Sequence, residues 1–364
     1  MKLIELRERT VSVGAPMRNA AIAFDSMTAS AVKMVADGGL TGYAFDSIGR
    51  YGKGALLRER FFPRLLGKTL VDAQGIVDPP ACARAAMENE KAGGHGERPG
   101  AVGLIEAAAW DLRAKAHGVP LWRSIADYYG TKDAAATIGV YASGGHFGSD
   151  VATEVQKALD AGYLTVKIKV LGTDEDWPRI GAGVSAGARL AVDLNGALQG
   201  DRAERWFDRV AQFRLAWIEE PAAPLDFDRL KQYVDMSPAP VATAENLFSF
   251  DDARNLLRYG GLRAERDFVQ LDPLLAYGVA EYVRILELYG WPRQQFMPHA
   301  GHLFAAHCVA GLGLGMAEAA PDATLLYGGY WDGVHVDGGR VKIPDEPGVG
   351  YERKSNLFAV MESL

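Results

Sequence analysis

The sequence has little of what disulfide bonding or nucleic-acid binding requires. It contains only two cysteines, Cys82 and Cys308, which are far apart and form no CxxC motif. A reduced protein in the cytoplasm is the simplest interpretation of so few cysteines. Positive charge is also scarce, since 39 lysines and arginines stand against 46 aspartates and glutamates and the net charge is −7. This balance argues against nucleic acid or an anionic membrane surface as the main partner.

Long hydrophobic segments are absent as well. No run approaches the roughly 20 apolar residues that a membrane-spanning helix needs, and residues 1–8 contain no apolar core of a signal peptide. We therefore expect no membrane partner. The chain has the composition of an ordinary globular protein, with 48% hydrophobic and 23% charged residues over a length of 364. That length exceeds the usual size of one compact domain and predicts two.

The first part of the chain, residues 1–125, has strand patterns followed by helix patterns. Short apolar runs separated by glycine turns indicate strands within residues 2–48, and helical spacing follows in residues 54–67 and 79–91. The strongest helical pattern covers residues 102–116. Strands followed by helices are typical of an α+β domain.

The sequence pattern changes in residues 126–324, where short apolar runs alternate with amphipathic helical segments. Eight such strand–helix steps predict a parallel α/β barrel of the TIM type. Residues 325–364 break this pattern. We expect this last segment to pack back on the first domain.

Three acidic residues end consecutive predicted barrel strands. Asp193, Glu219 and Glu245 each close a short apolar run, and successive members are 26 residues apart. This interval accommodates one strand, one helix and their loops, so the three side chains should meet at one mouth of the barrel. Three carboxylates brought together repel one another unless a divalent cation neutralises them, and ligands that are all oxygen favour Mg²⁺. The spacing therefore predicts a magnesium site.

Two lysines lie close together on an earlier barrel strand. Lys167 and Lys169 point to the same side of that strand, because alternate strand residues share a face. An isolated pair of this kind usually lies on a wet sheet edge, but the mouth of a barrel at the C-terminal ends of its strands is where active sites form. There, near a metal, repulsion between the two ammonium groups should lower their pKa values toward neutrality. One lysine could then act as a base while the other stays positive for an anionic substrate.

An aspartate and two histidines follow on later strands. Asp272 ends the sixth strand, and His302 lies just beyond the seventh, with His299 as a competing candidate three residues earlier. A carboxylate bonded to one imidazole nitrogen fixes the tautomer and leaves the other nitrogen able to exchange a proton. His307 is expected to be a structural residue of the next helix.

Other polar residues near the strand ends have both a functional and a structural interpretation. Asn195 shares a face with Asp193 and could help to bind the metal or the substrate. Glu220, beside Glu219, should face the opposite way and pair with a cation or a supporting group. Glu318 ends the eighth strand, where it either faces the mouth or caps a helix.

Together these groups place a lysine base on one side of the barrel mouth, an acid–base dyad on the other and a metal between them. This arrangement suits removal of a proton α to a carboxylate, with Mg²⁺ stabilising the enediolate. Protonation of a departing β-hydroxyl by the histidine gives dehydration, whereas return of a proton to carbon gives racemisation. Two alternatives stay open: a metal-independent barrel lyase that forms a Schiff base through Lys169, and a barrel that only binds its ligand.

The pattern resembles the enolase superfamily, in the branch typified by mandelate racemase. The shared features are K-x-K on the second strand, single acids on strands three to five, and Asp and His on strands six and seven. The stretch His302-Leu303-Phe304 resembles the segment around that branch's catalytic histidine, which favours His302 over His299. The resemblance covers the whole chain and implies a (β/α)7β barrel with an α+β capping domain and Mg²⁺ as cofactor.

Within that branch the chain is most similar to the D-tartrate dehydratase family. The stretches that carry this similarity are residues 16–20, 49–52, 89–98, 245–248, 252–260 and 331–334. The similarity implies substrate contacts at Lys91 and Asn19, with Lys91 holding a distal carboxylate. Where the family has a substrate-contacting asparagine, this chain has Ile48, which cannot hydrogen-bond a hydroxyl or a carboxylate.

The sequence therefore predicts a Mg²⁺-dependent dehydratase that converts a 2,3-dihydroxy diacid into a 2-oxo acid by β-elimination. A racemase or epimerase, or a dehydratase of a longer acid sugar, is the alternative within the superfamily. The expected partner is a small hydroxy acid, and we expect a homo-oligomer.

Overall fold

The structure, a computed structural model, describes residues 1–15, 17–47, 52–93, 96–322 and 324–364. Its N-terminal part contains an antiparallel sheet in the order β1-β2-β3. The strands are β1 (Leu3–Ser12), β2 (Thr28–Ala36) and β3 (Thr41–Phe45). The helices that follow are a π-helical turn (Leu56–Phe61), α1 (Phe62–Leu65), α2 (Pro79–Ala86), α3 (Glu97–Ala116) and α4 (Leu121–Tyr129). This arrangement confirms the α+β capping fold.

The central part of the chain forms a parallel sheet in the order β10-β4-β5-β6-β7-β8-β9. Each neighbouring pair in this order is parallel. The strands are β4 (Thr137–Gly144), β5 (Thr165–Lys169), β6 (Arg189–Asp193), β7 (Ile218–Glu219), β8 (Val241–Thr243), β9 (Phe268–Val269) and β10 (Met316–Ala319).

The sheet closes into a barrel through Phe296, in the segment where the sequence predicts a strand over residues 295–299. Phe296 forms a parallel bridge with Val269, and the Met297 N–H donates to the Val269 carbonyl at 3.0 Å. On the other side, the Gly315 N–H donates to the Phe296 carbonyl at 3.0 Å. The (β/α)7β barrel is thus confirmed, although this strand is reduced to a single bridge that follows a 3₁₀ turn (Arg293–Gln295).

Helices connect the strands and cover the outside of the barrel. Three of them begin at the side chains of Asp150, Asp226 and Ser249, each of which accepts a backbone N–H at 3.0–3.1 Å. In the described part of the chain, no helix is long and apolar enough to cross a membrane. The helices are α5 (Val151–Asp160), α6 (Asp176–Ser185), α7 (Ala203–Val210), α8 (Phe227–Met236), α9 (Phe250–Tyr259), α10 (Val279–Leu286) and α11 (Leu303–Leu312).

Apolar side chains fill the barrel interior beneath the C-terminal ends of the strands. The rings of Tyr141 and Trp217 meet edge to face there, with 4.9 Å between their centroids. Ala191, Ala242 and Met297 complete this cluster. Because the interior is packed in this way, charged groups at the strand ends are held at the mouth and not inside a channel.

The C-terminal residues contact both parts of the molecule. β11 (Arg340–Lys342) pairs antiparallel with β4, and α12 (Ser355–Glu362) follows. Beyond α12, the Leu364 carbonyl accepts a hydrogen bond from the Lys33 ammonium group of β2 at 3.0 Å. The domain boundaries after residues 125 and 324 stay predictions.

His307 has a structural environment, as predicted. Its Nδ1 accepts the Trp122 N–H at 3.0 Å, and its Nε2 donates to the Val349 carbonyl at 3.1 Å. Burial lowers the pKa of His307 to about 4, so the ring is neutral near pH 7. His307 therefore joins α11 to α4 and to the C-terminal segment.

Close packing of α3 against the barrel gives a testable stability prediction. A Cβ at Gly103 would overlap the carbonyl oxygen of Leu274. We expect Gly103→Ala to lower the free energy of unfolding by about 1–3 kcal/mol, because helix and loop must separate to admit the methyl group. Chemical unfolding measures this change. The control is Gly181→Ala in α6, where a Cβ meets nothing within 4 Å; a wild-type stability for Gly103→Ala would contradict the contact.

Candidate active site

The three predicted metal ligands lie together at the C-terminal ends of the barrel strands. Asp193 ends β6, Glu219 ends β7, and Glu245 follows closely after β8. One oxygen from each carboxylate lies within 4.8 Å of the other two. All three residues are buried, with at most 4% of their surface exposed. The structure therefore brings the predicted triad together.

Backbone conformations that are rare for residues other than glycine occur beside each carboxylate. The φ angle is 44° at Asn195, 40° at Glu220 and 98° at Ala244. Such conformations cost of order 1–3 kcal/mol each and persist only where the surrounding structure enforces them. They turn the chain sharply at the strand ends, which marks this end of the barrel as the functional one.

Two of these acids differ strongly in their affinity for a proton. Burial raises the pKa of Glu219 to about 8. Burial acts in the same direction on Asp193, but the ammonium groups of Lys169 and Lys167 outweigh it and hold the pKa of Asp193 at about 2. Buried acids that raise one another's pKa create the electrostatic condition that a divalent cation relieves.

Both predicted lysines reach this cluster from β5. Lys169 Nζ lies 2.5 Å from Asp193 Oδ2. Lys167 Nζ pairs with Glu219 and lies 3.0 Å from Glu318 Oε1. Both lysines are buried, so the K-x-K pair lies on the inner face of the barrel and not on a wet edge.

Without a cation, the pKa values of the two lysines shift in the direction opposite to the one predicted for a site that holds a metal. Burial lowers the pKa of Lys169, but attraction to Asp193 outweighs burial and raises the pKa above its usual value. Lys167 behaves in the same way, with Glu219 and Glu318 as the main attracting groups. Repulsion between the lysines is therefore weaker than the attraction of the carboxylates. A divalent cation held by the same carboxylates would neutralise part of the charge that retains these protons.

Two residues that the sequence analysis did not identify orient Glu219. Its Oε2 accepts the Trp217 indole N–H at 2.9 Å and the Gln270 amide N–H at 2.8 Å. Gln270 also donates to the Tyr141 hydroxyl at 3.2 Å. The available signal was the position of Gln270 two residues before Asp272, since residues at this spacing share a strand face.

The predicted aspartate–histidine pair forms on the opposite side of the mouth from β5. His302 Nε2 lies 3.1 Å from Asp272 Oδ1, which also accepts the Leu274 N–H at 2.8 Å. His302 Nδ1 accepts the Ala305 N–H at 3.0 Å and caps α11. Both ring nitrogens are therefore engaged, and the expectation that the second nitrogen stays available for proton exchange is not met in this arrangement.

His299 contacts the same aspartate from another direction. Its Nδ1 lies 4.0 Å from Asp272 Oδ2, and its Nε2 lies 3.2 Å from Glu245 Oε2. Burial raises the pKa of Asp272, but His302 and His299 outweigh burial and hold that pKa below its usual value. Asp272 thus hydrogen-bonds His302 and lies within ion-pair distance of His299.

A cavity of about 550 Å³ opens at this end of the barrel. Lys169, His299 and Glu318 line it, together with Met17 and Phe24 from the capping part of the chain. Cavities of roughly 300–1,000 Å³ accommodate small organic ligands. His299 therefore lines the same cavity as Lys169, the candidate base. His302 is not among the described residues that line it.

Three other predicted residues lie near the carboxylates. The Asn195 N–H donates to Asp193 Oδ1 at 2.9 Å. Glu318 lines the cavity, which favours the interpretation that it faces the mouth. Glu220, which we expected to pair with a cation or a supporting group, accepts a hydrogen bond from the Asn246 amide at 2.9 Å. That contact fits the second of these two roles.

The substrate contacts implied by the family resemblance are not assembled by the described residues. Lys91 is exposed and is not among the described residues that line the cavity. The Asn19 side chain accepts two backbone N–H groups of its own turn at 2.9 and 2.7 Å. Ile48 lies outside the described residues. These three roles stay predictions.

The donor set at the mouth fits Mg²⁺. Asp193, Glu219 and Glu245 would hold the ion, since they offer only oxygen atoms and converge in a buried site. An ion there would supply positive charge next to an oxyanion that forms on a bound substrate.

Residues 150–356 match the model of the enolase C-terminal domain-like family. This match covers more than half of the chain, so the protein belongs to that family. The matched span contains the acidic triad and the lysine pair described above.

Relatives of the chain include enzymes with different reactions. A 3,6-anhydro-α-L-galactonate cycloisomerase of Streptomyces coelicolor is 28% identical over 290 residues, which are 73% of this chain and 74% of that enzyme. The L-talarate/galactarate dehydratase of Salmonella typhimurium is 29% identical over 218 residues, 57% of this chain and about half of that enzyme, 53%. A solved racemase structure from Streptomyces coelicolor with bound magnesium has a TM-score of 0.80 and 25% identity, covering 98% of this chain and 99% of that chain.

Proposed function

We propose that this protein is a Mg²⁺-dependent dehydratase of hydroxy acids that removes a proton from the carbon next to a carboxylate. One observation carries the proposal. Lys169 and the histidines around Asp272 lie on opposite sides of the three buried carboxylates. A substrate bound over those carboxylates therefore has a proton acceptor on one face and a proton donor on the other.

Lys169 is the candidate base because it lines the cavity from the end of β5. In its neutral form it takes the α-proton, and the electron pair of the broken C–H bond moves toward the substrate carboxylate. Lys167 is 1% exposed and remains protonated between Glu219 and Glu318. Its role is to balance the charge of these acids.

On the other face, a histidine supported by Asp272 donates a proton to the β-hydroxyl as the C–O bond breaks. The hydroxyl leaves as water, and the resulting enol becomes a 2-oxo acid by losing its hydroxyl proton and gaining a proton on carbon. Between turnovers Lys169 releases the proton it took to solvent, and the histidine takes up a proton from solvent. The two candidates for this donor are His299, which lines the cavity, and His302, whose Nδ1 would first have to give up the Ala305 N–H.

The proposed substrate is a 2,3-dihydroxy diacid of the D-tartrate type. The family resemblance of the stretches around residues 16–20 and 89–98 supports it, as does the relative that dehydrates talarate and galactarate. In this proposal Lys91 and Asn19 contact the substrate, and Ile48 takes the place of an asparagine.

A dehydration screen tests this proposal. The Mg²⁺-loaded protein is incubated with the tartrate stereoisomers and a set of acid sugars, and 2-oxo acid formation is measured. We expect at least one of these acids to be dehydrated, and we expect Ile48→Asn to raise activity on D-tartrate, because asparagine restores a hydrogen-bonding group. Rapid turnover of D-tartrate by the unmodified protein would show that position 48 needs no such group. Absence of 2-oxo acid with every substrate would contradict the dehydratase proposal.

Racemisation or epimerisation is the second candidate function. Proton-transfer groups on two opposite faces favour it, because one group can remove the α-proton and the other can return a proton to the opposite face. NMR of products formed in D₂O separates the outcomes. Epimerisation leaves the hydroxyls in place and puts deuterium on carbon, whereas dehydration removes a hydroxyl.

A metal-independent Schiff-base lyase needs a neutral amine as nucleophile. The three buried, converging carboxylates weigh against this alternative, because a metal-independent lyase has no use for a metal site. Borohydride trapping of a substrate adduct that is insensitive to EDTA would favour it. The homo-oligomeric state and the cytoplasmic location stay predictions.

A further inference from the structure

Asp272 receives a hydrogen bond from the capping part of the chain. The Ser47 hydroxyl donates to Asp272 Oδ2 at 2.5 Å, across 225 residues of sequence. Ser47 is 2% exposed and Asp272 is fully buried. The sequence gives no reason to connect these two residues.

The Ser47 hydroxyl adds a hydrogen bond to those that the Asp272 carboxylate makes within the barrel. Oδ1 accepts from Leu274 N–H and contacts His302 Nε2. Oδ2 has Ser47 Oγ at 2.5 Å and His299 Nδ1 only at 4.0 Å. Ser47 is therefore the nearest donor on the oxygen that faces His299. Without its hydroxyl, rotation of the carboxylate about its bond to the Cβ atom would meet less resistance.

Ser47 is itself held firmly, because the residue before it is locked in the capping part of the chain. Asp46 Oδ1 pairs with Lys53 Nζ at 2.5 Å, and both side chains are at most 1% exposed. A Cβ at Gly100 of α3 would overlap the Lys53 side chain, so α3 packs directly on this ion pair. The Asp46 N–H also donates to the Ser30 carbonyl at 3.0 Å, which ties it to β2.

The adjoining barrel segment is held by the same part of the chain. Tyr277 Oη contacts the N–H and the carbonyl of Gly93 at 3.1 and 3.2 Å. The Glu106 carboxylate of α3 accepts the Ala280 N–H at 3.1 Å. Contacts at residues 272, 277 and 280 thus fix the segment that begins with the aspartate of the proton-transfer pair.

We propose that Ser47 is a positioning residue: it fixes the Asp272 carboxylate so that the histidine it supports is aligned for proton transfer. This inference rests on the proposed function. Ser47 touches neither Lys169 nor the three metal ligands in any contact of the described residues. Loss of the Ser47 hydroxyl should therefore slow proton donation by the histidine and leave proton removal by Lys169 unchanged.

The test compares Ser47→Ala with the wild type in two assays on the Mg²⁺-loaded protein. One assay measures dehydration, and the other measures exchange of the substrate α-proton with D₂O. We expect Ser47→Ala to lower dehydration roughly 10- to 100-fold and to change exchange by less than about threefold. Ser47→Thr, which keeps the hydroxyl, should recover most of the dehydration rate.

The matched control is Ser30→Ala in the same capping sheet. Ser30 is also 2% exposed, and its hydroxyl donates to Glu8 Oε1 at 2.8 Å, while its backbone hydrogen bond with Asp46 is kept by alanine. Ser30→Ala loses a hydrogen bond to a carboxylate but should leave the ratio of dehydration to exchange unchanged. An equal fall of both rates in Ser47→Ala, or no fall in either, would overturn the positioning role.

A second measurement needs no substrate. In the wild type, the proton NMR signal of the His302 Nε2–H that faces Asp272 should be displaced downfield, and Ser47→Ala should move it while Ser30→Ala should not. An unmoved signal in Ser47→Ala overturns the inference alone, since it leaves the proposed function standing. A wild-type protein inactive in both assays overturns the proposed function, and the catalytic part of the inference with it.

Discussion

Replacing Lys169 with methionine is expected to lower the rate of α-proton exchange by about 10²–10⁴-fold, which is the usual contribution of a positioned general base. Lys169 lines the cavity at the end of β5 and lies 2.5 Å from Asp193. Methionine has a similar length but no proton acceptor. The measurement is loss of the substrate α-proton signal in D₂O with saturating Mg²⁺.

Lys169→Arg separates loss of the base from loss of charge. Methionine removes the partner of a buried carboxylate, and an unpaired buried charge is destabilising by about 3–5 kcal/mol, whereas arginine keeps the positive charge but stays protonated. We expect both variants to be inactive in exchange, and the arginine variant to unfold at a temperature closer to the wild type. Lys132→Met, at an exposed lysine in the connection between α4 and β4, serves as control. Wild-type exchange in Lys169→Arg would exclude Lys169 as the base.

The second large effect is expected at the metal ligands. Glu245→Gln should abolish both catalysis and the stabilisation of the fold by Mg²⁺. A ligand present at 100 times its dissociation constant stabilises a native protein by about 2.7 kcal/mol, so added Mg²⁺ should raise the unfolding temperature of the wild type by several degrees. In Glu245→Gln this rise should disappear, because one of three converging carboxylates has lost its charge.

Without Mg²⁺, we do not expect Glu245→Gln to be less stable than the wild type. Without a cation, burial raises the pKa of Glu220, and like-charge repulsion from Glu245 raises it further. Glu245→Gln removes that repulsion, so the metal-free variant should be at least as stable as the metal-free wild type. Glu265→Gln, at an exposed residue, changes the net charge equally and should keep the full response to Mg²⁺. A Mg²⁺-dependent rise of wild-type size in Glu245→Gln would contradict the assigned ligand set.

Much of the site could be predicted because it follows the periodicity of the barrel. Asp193, Glu219 and Glu245 recur at one interval, and parallel strands bring equivalent positions to one end. The lysine pair was predictable from the alternation of side chains along a strand, since Lys167 and Lys169 share a face.

Features that depend on long-range contacts could not be predicted. Ser47 meets Asp272 only because the capping sheet packs over the barrel mouth, and no spacing in the sequence encodes that approach. The raised pKa of Lys169 depends on its distance from Asp193, whereas the sequence suggested only that two lysines were adjacent. Which of His299 and His302 donates the proton could not be predicted either. The two residues lie only three positions apart, on a turn where Ala300 has a φ of 84°.

The central claim is that this barrel uses Mg²⁺ and Lys169 to remove a proton α to a carboxylate. The most direct test is proton NMR of a panel of hydroxy acids, including the tartrate stereoisomers, incubated in D₂O with the Mg²⁺-loaded protein. The account predicts loss of the α-proton signal of at least one acid, and predicts that EDTA or Lys169→Arg stops this loss. An α-proton signal that persists for every acid, or exchange that continues unchanged in EDTA, would contradict the account.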